Sequence, residues 1–462
     1  MRRACPSRGA GVDGRAPSLG GFHVRTAARI AAFLAVVAGG FFLPPTGGVT
    51  AAGPGRDSDG SGGGPPRAVR ATDCGLDSLT FKAGLAALDS GLRWLERQQN
   101  QDGSFAQEMY PGITGLAVSV LARDPRRESG EPMPLVAQKG IDFLLRCVRP
   151  DGGIHAARGP EPALPEFNTA ASVTALALSG NPRYRPTIAR AVGFLAASRH
   201  GAGEPDDGGF GGSGPDGGRG AADLYTTCEV LYALRGAAED SAAGTAGGGE
   251  VGPSVSADRA STLRYLTPAS SPPAGGAEGT RGSEGTRGSE GTRGSEGTRG
   301  SEGTKGIEGS IGAEGAAGAR GARGAKATEG EAAAGARLLS LLSLPVERTD
   351  VRVAAAVEAL RRCYSLQENP GLDEAGLYRA YFLLAEALDA WGENPFRLAQ
   401  GPPASWRAEM VRQLIARQQR ASAQQGGFWV RTGGGRWEND PVPATCYALL
   451  ALEAAMRPPA AR

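Results

Sequence analysis

Carboxylates stand just before several apolar segments of this chain, and they are the residues that could do acid–base chemistry. The candidates for catalysis are Glu166, Asp223 and Asp440, and further carboxylates at comparable places are Asp373, Glu374 and Glu438. A carboxyl kept protonated by its neighbours can donate a proton, and a pair held about 5–10 Å apart can hydrolyse a glycoside. An Asp before a helix equally serves as an N-cap, where its charge favours the helix dipole. Both roles stay open at this point.

Aromatic and amide side chains accompany these carboxylates and form the predicted ligand-binding set. The set consists of Tyr110, Asn168, Tyr225, Tyr378 and Tyr381. An apolar pocket with a few polar groups is typical of a small-molecule site, so one expectation is an apolar ligand such as an isoprenoid. The alternative is that the aromatic side chains pack in a core.

Histidine and cysteine offer little for metal or cofactor chemistry. The 462 residues include 3 His and 6 Cys, and the cysteines are dispersed, with no Cys-x-x-Cys pair. We therefore predict no metal site and no cofactor. Cys228 and Cys446 hold equivalent places in two apolar segments and are expected to pack there. His155 and His200 are expected to face solvent in loops.

Two kinds of helical segment alternate along the chain and must position these side chains. One kind is amphipathic, with apolar residues at spacings of three and four, and the other is apolar on nearly all faces, which predicts a buried helix. The predicted amphipathic helices cover 80–99, 133–148, 185–199, 256–266, 350–365 and 404–420, and the predicted buried helices cover 112–122, 167–179, 222–236, 328–343, 374–391 and 441–456.

Strict alternation of the two kinds, with a period of about 50 residues, indicates a helical-hairpin repeat. Six hairpins can close into a ring, with the buried helices lining an inner barrel and the amphipathic helices outside. Closure removes the need for the end caps of an open solenoid. The predicted fold class is therefore all-α, an (α/α)6 toroid.

The loops after the amphipathic helices also repeat. Gln99, Gly103 and Phe105 follow the first helix, Gly152 and Ile154 the second, Gly209 and Phe210 the third, and Gln419, Gly427 and Phe428 the last. A glycine can end a helix in a left-handed turn, and a Gln at a helix end can bond exposed backbone. This pattern resembles the QW motif of squalene and oxidosqualene cyclases.

The resemblance extends over residues 76–457, apart from a glycine-rich insert, and the stretches 364–371, 376–396 and 436–453 are its most specific parts. These residues resemble the α/α toroid superfamily, which includes terpenoid cyclases and protein prenyltransferase β-subunits. Within it the chain is most similar to squalene-cyclase-like bacterial proteins with prenyltransferase/squalene-oxidase repeats. The resemblance implies a toroid, and an interior that could hold an isoprenoid.

The catalytic motifs of these families are altered at the matching positions. The cyclases protonate an alkene through Asp-x-Asp-Asp before Thr-Ala. Here Pro165, Phe167 and Asn168 replace the three aspartates, and Glu166 is left beside them. The prenyltransferases bind zinc through a His where this chain has Thr226, and a hydroxyl is a poor zinc ligand. The fold alone therefore does not establish an activity.

Three functions follow as expectations, and whether the protein is an enzyme stays open among them. The first is a toroid that binds an apolar, isoprenoid-like ligand without the usual acid or zinc site. The second is a non-catalytic structural or protein-interaction toroid. The third is a divergent hydrolase or lyase that uses Glu166, Asp223 and Asp440 at the barrel mouth. The net charge of +2 gives no sign of a nucleic-acid partner.

The N-terminal region predicts export. Residues 1–52 contain an apolar run, 30–43, behind Arg25 and Arg29, which is typical of a signal peptide or an uncleaved N-terminal anchor. Such an anchor would be the chain's only membrane contact. Residues 53–75 predict a flexible linker.

A glycine-rich insert, 268–327, divides the predicted toroid into 76–267 and 328–457. Glycine is every third residue from 276 to 324, the period of a collagen triple helix. No proline lies between Pro273 and Pro345, although proline is what stiffens collagen strands. A long disordered repeat and a trimerising stalk are therefore both open, as is the oligomeric state.

Overall fold

The described part of the chain is built from helices. The computed structural model describes residues 70–105, 110–127, 131–156, 164–204, 206–213, 219–244, 259–267, 333–370, 376–422, 424–433 and 438–459. Its helices are α1 (Ser78–Glu96), α2 (Pro111–Arg123), α3 (Leu135–Arg146), α4 (Pro165–Leu178), α5 (Arg185–Ala197), α6 (Leu224–Gly244), α7 (Arg259–Leu266), α8 (Ala334–Leu342), α9 (Val351–Cys363), α10 (Leu377–Trp391), α11 (Trp406–Arg417) and α12 (Pro441–Met456). Each overlaps one predicted helix, so the all-α prediction is confirmed for these residues.

The even-numbered helices are the buried ones, as the sequence predicts. In α12 every residue from Pro443 to Met456 is buried, and in α2 every residue from Pro111 to Leu121 is buried. The odd-numbered helices bury one face only, since α1 covers Leu88, Leu92 and Leu95 while Lys82 stays exposed. Removal of these apolar side chains from water is the main force that assembles the helices.

Contacts among the even-numbered helices run in a cycle. α2 packs on α4, α4 on α6, α6 on α8, α8 on α10, α10 on α12, and α12 on α2 again. The odd-numbered helices lie against this set, for example α3 on α2, α5 on α4, α9 on α8 and both α1 and α11 on α12. Each odd helix therefore has one covered face and one face in water, which explains its amphipathic sequence.

A glycine turn recurs in four of the loops that lead from an odd helix to the following even helix. Each turn packs against a further odd helix. Gly103, Gly152, Gly208 and Gly426 have φ between +87° and +95°. A Cβ on any of them would lie 2.2–2.6 Å from backbone atoms of α3, α5, α7 and α1 respectively. The prediction that these glycines end the helices is wrong, because α1 already ends at Glu96 and Gly103 lies in the loop beyond it. They let the following loop lie directly on the next odd-numbered helix, and the last loop lies on α1.

A threonine near the start of the following even helix fixes each of these loops. The backbone N–H groups of Phe105, Ile154, Phe210 and Trp429 donate to the Oγ1 atoms of Thr114, Thr169, Thr227 and Thr445, at 2.9–3.0 Å. The predicted role of glutamine at the helix end is confirmed, because the Gln99 side chain donates to the Gly103 carbonyl at 3.0 Å and to the Val136 carbonyl at 2.8 Å.

Two short antiparallel hairpins, which the sequence analysis did not predict, interrupt the helices of the described residues. Strand β1 (Gly211–Ser213) pairs with β2 (Arg219–Ala222), and β3 (Gln419–Ser422) pairs with β4 (Gly426–Phe428). Each hairpin lies in a loop after an odd helix. The β3–β4 hairpin contains the turn glycine Gly426, whereas Gly208 lies before β1, and neither hairpin changes the order of the helices.

Several predicted segments fall outside the described residues. They are the signal peptide or anchor of 1–52, the insert of 268–327, and the carboxylates Asp373 and Glu374. The end of the predicted linker is ordered, because Ala71–Cys74 forms a 3-10 turn and the Cys74 thiol donates to the Met456 carbonyl at 2.8 Å. Among the described helices, none has the length and apolar character needed to cross a bilayer.

Candidate functional site

Asp223 and Asp440, two of the candidate catalytic residues, cap helices. The Asp223 carboxylate accepts hydrogen bonds from the backbone N–H of Thr226 at 2.8 Å and of Tyr225 at 3.3 Å, at the start of α6. Asp440 accepts from the backbone N–H of Val442 at 2.9 Å, at the start of α12, and is exposed. The capping alternative is therefore the role that the geometry gives to both carboxylates.

Glu166 and Asn168 lie in the first turn of α4 and are both buried. The Asn168 Oδ1 atom accepts from the backbone N–H of Gly112 at 2.8 Å. This bond satisfies one of the exposed N–H groups at the start of α2, just after the half-buried Tyr110. Asn168 thus joins two neighbouring even helices at their N-terminal ends.

The predicted tyrosines pack against protein groups. The Tyr225 hydroxyl donates to Asn369 Oδ1 at 2.8 Å, and the Arg379 guanidinium lies 5.1 Å above the Tyr225 ring. Burial raises the pKa of Tyr225 to about 12. The Tyr381 hydroxyl donates to the Leu366 carbonyl, and the Tyr381 ring meets the edge of Tyr378 at a centroid distance of 6.2 Å.

Glu438 contributes to the same end of the even helices. Its Oε1 atom accepts from the backbone N–H of Tyr378 at 2.6 Å, at the start of α10. Burial raises the pKa of Tyr378 to about 12. Among the predicted site residues, Tyr378 therefore contacts both Tyr381 and Glu438. Asp223 contacts Tyr225, and Asp440 caps its own helix.

An ion pair between the buried Glu229 and the half-buried Arg379, which the sequence did not predict, links α6 to α10. Glu229 of α6 binds Arg379 of α10 through two hydrogen bonds of 2.6 and 3.0 Å, and the Tyr447 hydroxyl of α12 donates to Glu229 Oε1 at 2.9 Å. Arg379 also lies 4.0 Å from Asp223. Burial acts to lower the pKa of Arg379, but the Glu229 carboxylate offsets burial and holds it well above its usual value. Arg379 therefore stays charged at this position.

A second network lies at the C-terminal ends of the even helices. Glu386 of α10 binds Arg123 of α2, accepts from the Tyr232 hydroxyl at 3.2 Å, and binds Arg457 at 3.1 Å. Burial acts to raise the pKa of Glu386, but Arg123 and Arg457 lower it to about 2. Glu386 is therefore ionised at every physiological pH.

Asp389 extends this second network to α11. It binds Arg457 at 2.6 Å and also binds Arg407. Arg407 is buried and donates to the carbonyls of Ala454 and Arg457, each at 2.9 Å. A cation at the end of α12 offsets the negative end of that helix dipole.

Little space remains between the two networks. One cavity there is lined by residues of five even helices, among them Leu116, Ala171, Tyr232, Phe382 and Leu450. Its accessible volume is about 20 Å³, room for about one water molecule. A second cavity, between α8, α10 and the loop after α9, measures about 30 Å³.

Five of the cysteines and two of the histidines, His155 and His200, lie in the part of the chain that the structure describes. No group of three or more His, Cys, Asp or Glu side chains in the described residues could hold a metal ion. Cys228 and Cys446 are free and buried, and burial raises the pKa of Cys228 to about 12. The expectation that His200 faces solvent is wrong, because its loop folds onto α7 and leaves the residue 4% exposed.

Comparison with known proteins gives one match within the chain. Residues 274–334 match the collagen triple helix repeat, in 20 copies. No curated protein matches the chain. The match covers the glycine-rich segment and ends at the first residue of α8, so it describes the insert and does not extend over the helical part.

Proposed function

We propose that this protein is an exported α/α toroid of the squalene-cyclase-like type that serves as a structural or protein-interaction scaffold and has no enzymatic activity. The cyclic contacts of the even helices support the toroid, as does the last glycine turn, in which Gly426 lies against Ser90 of α1. The repeated bonds between loop N–H groups and helix threonines support equivalent hairpins.

The filled interior is the observation that carries the proposal of a scaffold. Two ion-pair networks and large side chains such as Phe382 and Leu450 occupy the space inside the cycle, and the cavity between them holds about one water molecule. Ligand pockets measure roughly 300–1,000 Å³. An isoprenoid would have to displace core side chains to enter.

The roles of the candidates Asp223 and Asp440, and of two buried glutamates that the sequence did not predict, support the same proposal. Asp223 and Asp440 accept backbone hydrogen bonds at helix starts, and the buried Glu229 and Glu386 are neutralised by arginines. A general acid needs a proton to give and access to a substrate. These four carboxylates instead cap helices or form ion pairs with arginines.

The test is a search for bound ligand in the purified full chain. Organic extraction followed by mass spectrometry is expected to give no isoprenoid in stoichiometric amount, and isoprenoid alcohols are expected to leave the melting temperature unchanged. A matched control is Phe382→Ala, which opens an apolar cavity and should allow a small probe such as benzene to stabilise the variant. Stoichiometric isoprenoid on the wild-type protein would overturn the scaffold proposal in favour of an apolar-ligand toroid.

The collagen match supports a second element of the proposal, assembly of three chains through residues 274–334. The segment alternates Glu and Arg within its Gly-x-y triplets, and opposite charges on neighbouring strands would favour pairing. Sedimentation equilibrium of the full chain is expected to give three times the chain mass. A variant without 274–332 should be a monomer, and Gly297→Ala should weaken the trimer because only glycine fits the axis. The same number of chains per particle in all three proteins would contradict this assembly.

A further inference from the structure

The contact between α2 and α12 closes the cycle of even helices, and charged side chains surround its C-terminal end. We call this set the seam cluster, and its members are Arg123, Asp124, Glu386, Asp389, Glu453 and Arg457. Within it, Glu386 binds both Arg123 and Arg457, and Asp389 binds Arg457 and Arg407. The ion pairs of the cluster are therefore complete without Glu453.

Glu453 of α12 is the exception in this cluster. It is 3% exposed, and neither of its carboxyl oxygens has a hydrogen-bond partner within the described residues. A buried charge without a partner is costly. Arg123 and Arg457, the two cations that interact electrostatically with Glu453, already bind Glu386.

Other elements packed on α12 bring no further cation to Glu453 in the described contacts. α1 meets α12 through Gly84 and Gly91, which lie against Met456 and Leu449. The 3-10 turn contributes the Cys74 thiol, which donates to the Met456 carbonyl. α11 contributes Arg407, which is committed to Asp389 and to carbonyls of α12. From α2, Asp124 adds a further negative charge.

We propose that Glu453 is a proton-operated latch on the α2–α12 seam. Protonated, its neutral carboxyl allows the two helix ends to pack. Ionised, it competes with Glu386 for Arg123 and Arg457, breaks that network, and loosens the joint that closes the cycle. One proton added or lost at one carboxyl thus controls whether the cycle is tightly closed.

The electrostatics of the site agree with this role. Burial raises the pKa of Glu453 well above the ordinary 4.5, and Arg123 and Arg457 only partly offset that effect. Because the folded-state pKa lies above the unfolded one, the unfolded chain releases this proton first as pH rises. Glu453 therefore lowers the stability of the folded state as pH increases from about 4.5 to the folded-state pKa. Over that range the folding equilibrium constant falls by at most about tenfold per pH unit.

The experiment compares wild type with Glu453→Gln by urea denaturation between pH 5 and 9. Glutamine keeps the shape and removes the ionisation, so its stabilising effect is expected to grow with pH. The matched control is Glu386→Gln on the same network. Glu386→Gln should lower stability by an amount that stays constant between pH 5 and 9, because the stability from ionised Glu386 is fully present above pH 4.5 and is lost only as pH falls toward 2.

Hydrogen exchange of the wild-type chain gives an independent readout. Amides at the ends of α2 (119–123) and α12 (452–456) should exchange faster with rising pH than intrinsic base catalysis accounts for, whereas amides of α4 should not. Should Glu453→Gln fail to fold, Glu453→Met serves the same purpose in an apolar helix. A pH-independent difference between wild type and variant, or seam amides that follow intrinsic exchange alone, would overturn the latch.

Discussion

Asp223 and Asp440 accept hydrogen bonds from backbone N–H groups at the starts of α6 and α12. A carboxylate at a helix start offsets the positive end of the helix dipole, and it accepts hydrogen bonds from backbone N–H groups that have no partner inside the helix. This use requires an oxygen acceptor at that position and does not require an acid. Substitution of these residues can therefore distinguish a helix cap from a catalytic acid.

We expect Asp223→Ala and Asp440→Ala each to lower the free energy of unfolding by about 0.5–2 kcal/mol. Asp223→Asn and Asp440→Asn should retain most of the stability, because the amide oxygen still accepts the same bonds. Urea denaturation at neutral pH measures all four variants. Asn variants as unstable as the Ala variants would contradict capping as the role of these residues.

The buried glutamates show where residue-scale prediction reached its limit. Glu229, Glu386 and Glu453 each lie in a largely apolar helical segment, and the arginines that bind Glu229 and Glu386 lie far away in sequence. A charge within a mostly apolar helix is the signal that could have marked them, since it needs a partner. The identity of the partner depends on which helices meet, and spacing along one helix does not reveal it.

At the scale of elements, the helices were predictable and the two short β-hairpins were not. Apolar periodicity is local, so α12 begins and ends at the predicted residues, 441 and 456. The pairing of β3 with β4 depends on a turn and on contact with α1, and its strands are only three and four residues long. The turn glycines were equally hard to interpret from the sequence, because each is required by the close approach of another helix.

Gly103→Ala is expected to destabilise the protein by at least about 2 kcal/mol. Its φ is +92°, and an added Cβ would lie 2.3 Å from the Lys139 carbonyl oxygen of α3. The matched control is Gly193→Ala inside α5, where an added Cβ meets no atom within 4 Å. That change should stabilise by about 0.5–1 kcal/mol, because alanine is the better helix former. Thermal and urea unfolding measure both, and equal effects of the two variants would refute the close approach of loop and helix.

At the scale of the whole molecule, buried ion pairs connect helices that are distant in sequence. Glu229, Arg379 and Tyr447 lie on α6, α10 and α12, and they bridge the interior. A buried pair adds little net stability compared with apolar side chains, but loss of one partner leaves an uncompensated charge. The pair therefore constrains which helices meet, because a wrong arrangement would leave either charge alone.

Arg379→Met is expected to cost about 3–5 kcal/mol of unfolding free energy, because it leaves Glu229 buried without its cation. Adding Glu229→Gln removes that charge while keeping an acceptor for Tyr447, so the double variant should regain a large part of the loss. A thermodynamic cycle of the four proteins by urea denaturation gives the coupling energy. Simple additivity of the two substitutions would show that the pair does not act as a unit.

The contact of Cys74 with Met456 brings the start of the helical region next to its end. Together with Gly426 on α1, it makes the joint between the last and first hairpins equivalent to the joints within the chain. Such a protein is suited to circular permutation. A gene opened at 268–332, with a short linker from Pro459 to Arg70, would encode the same helix contacts in a new order, beginning at α8 and ending at α7.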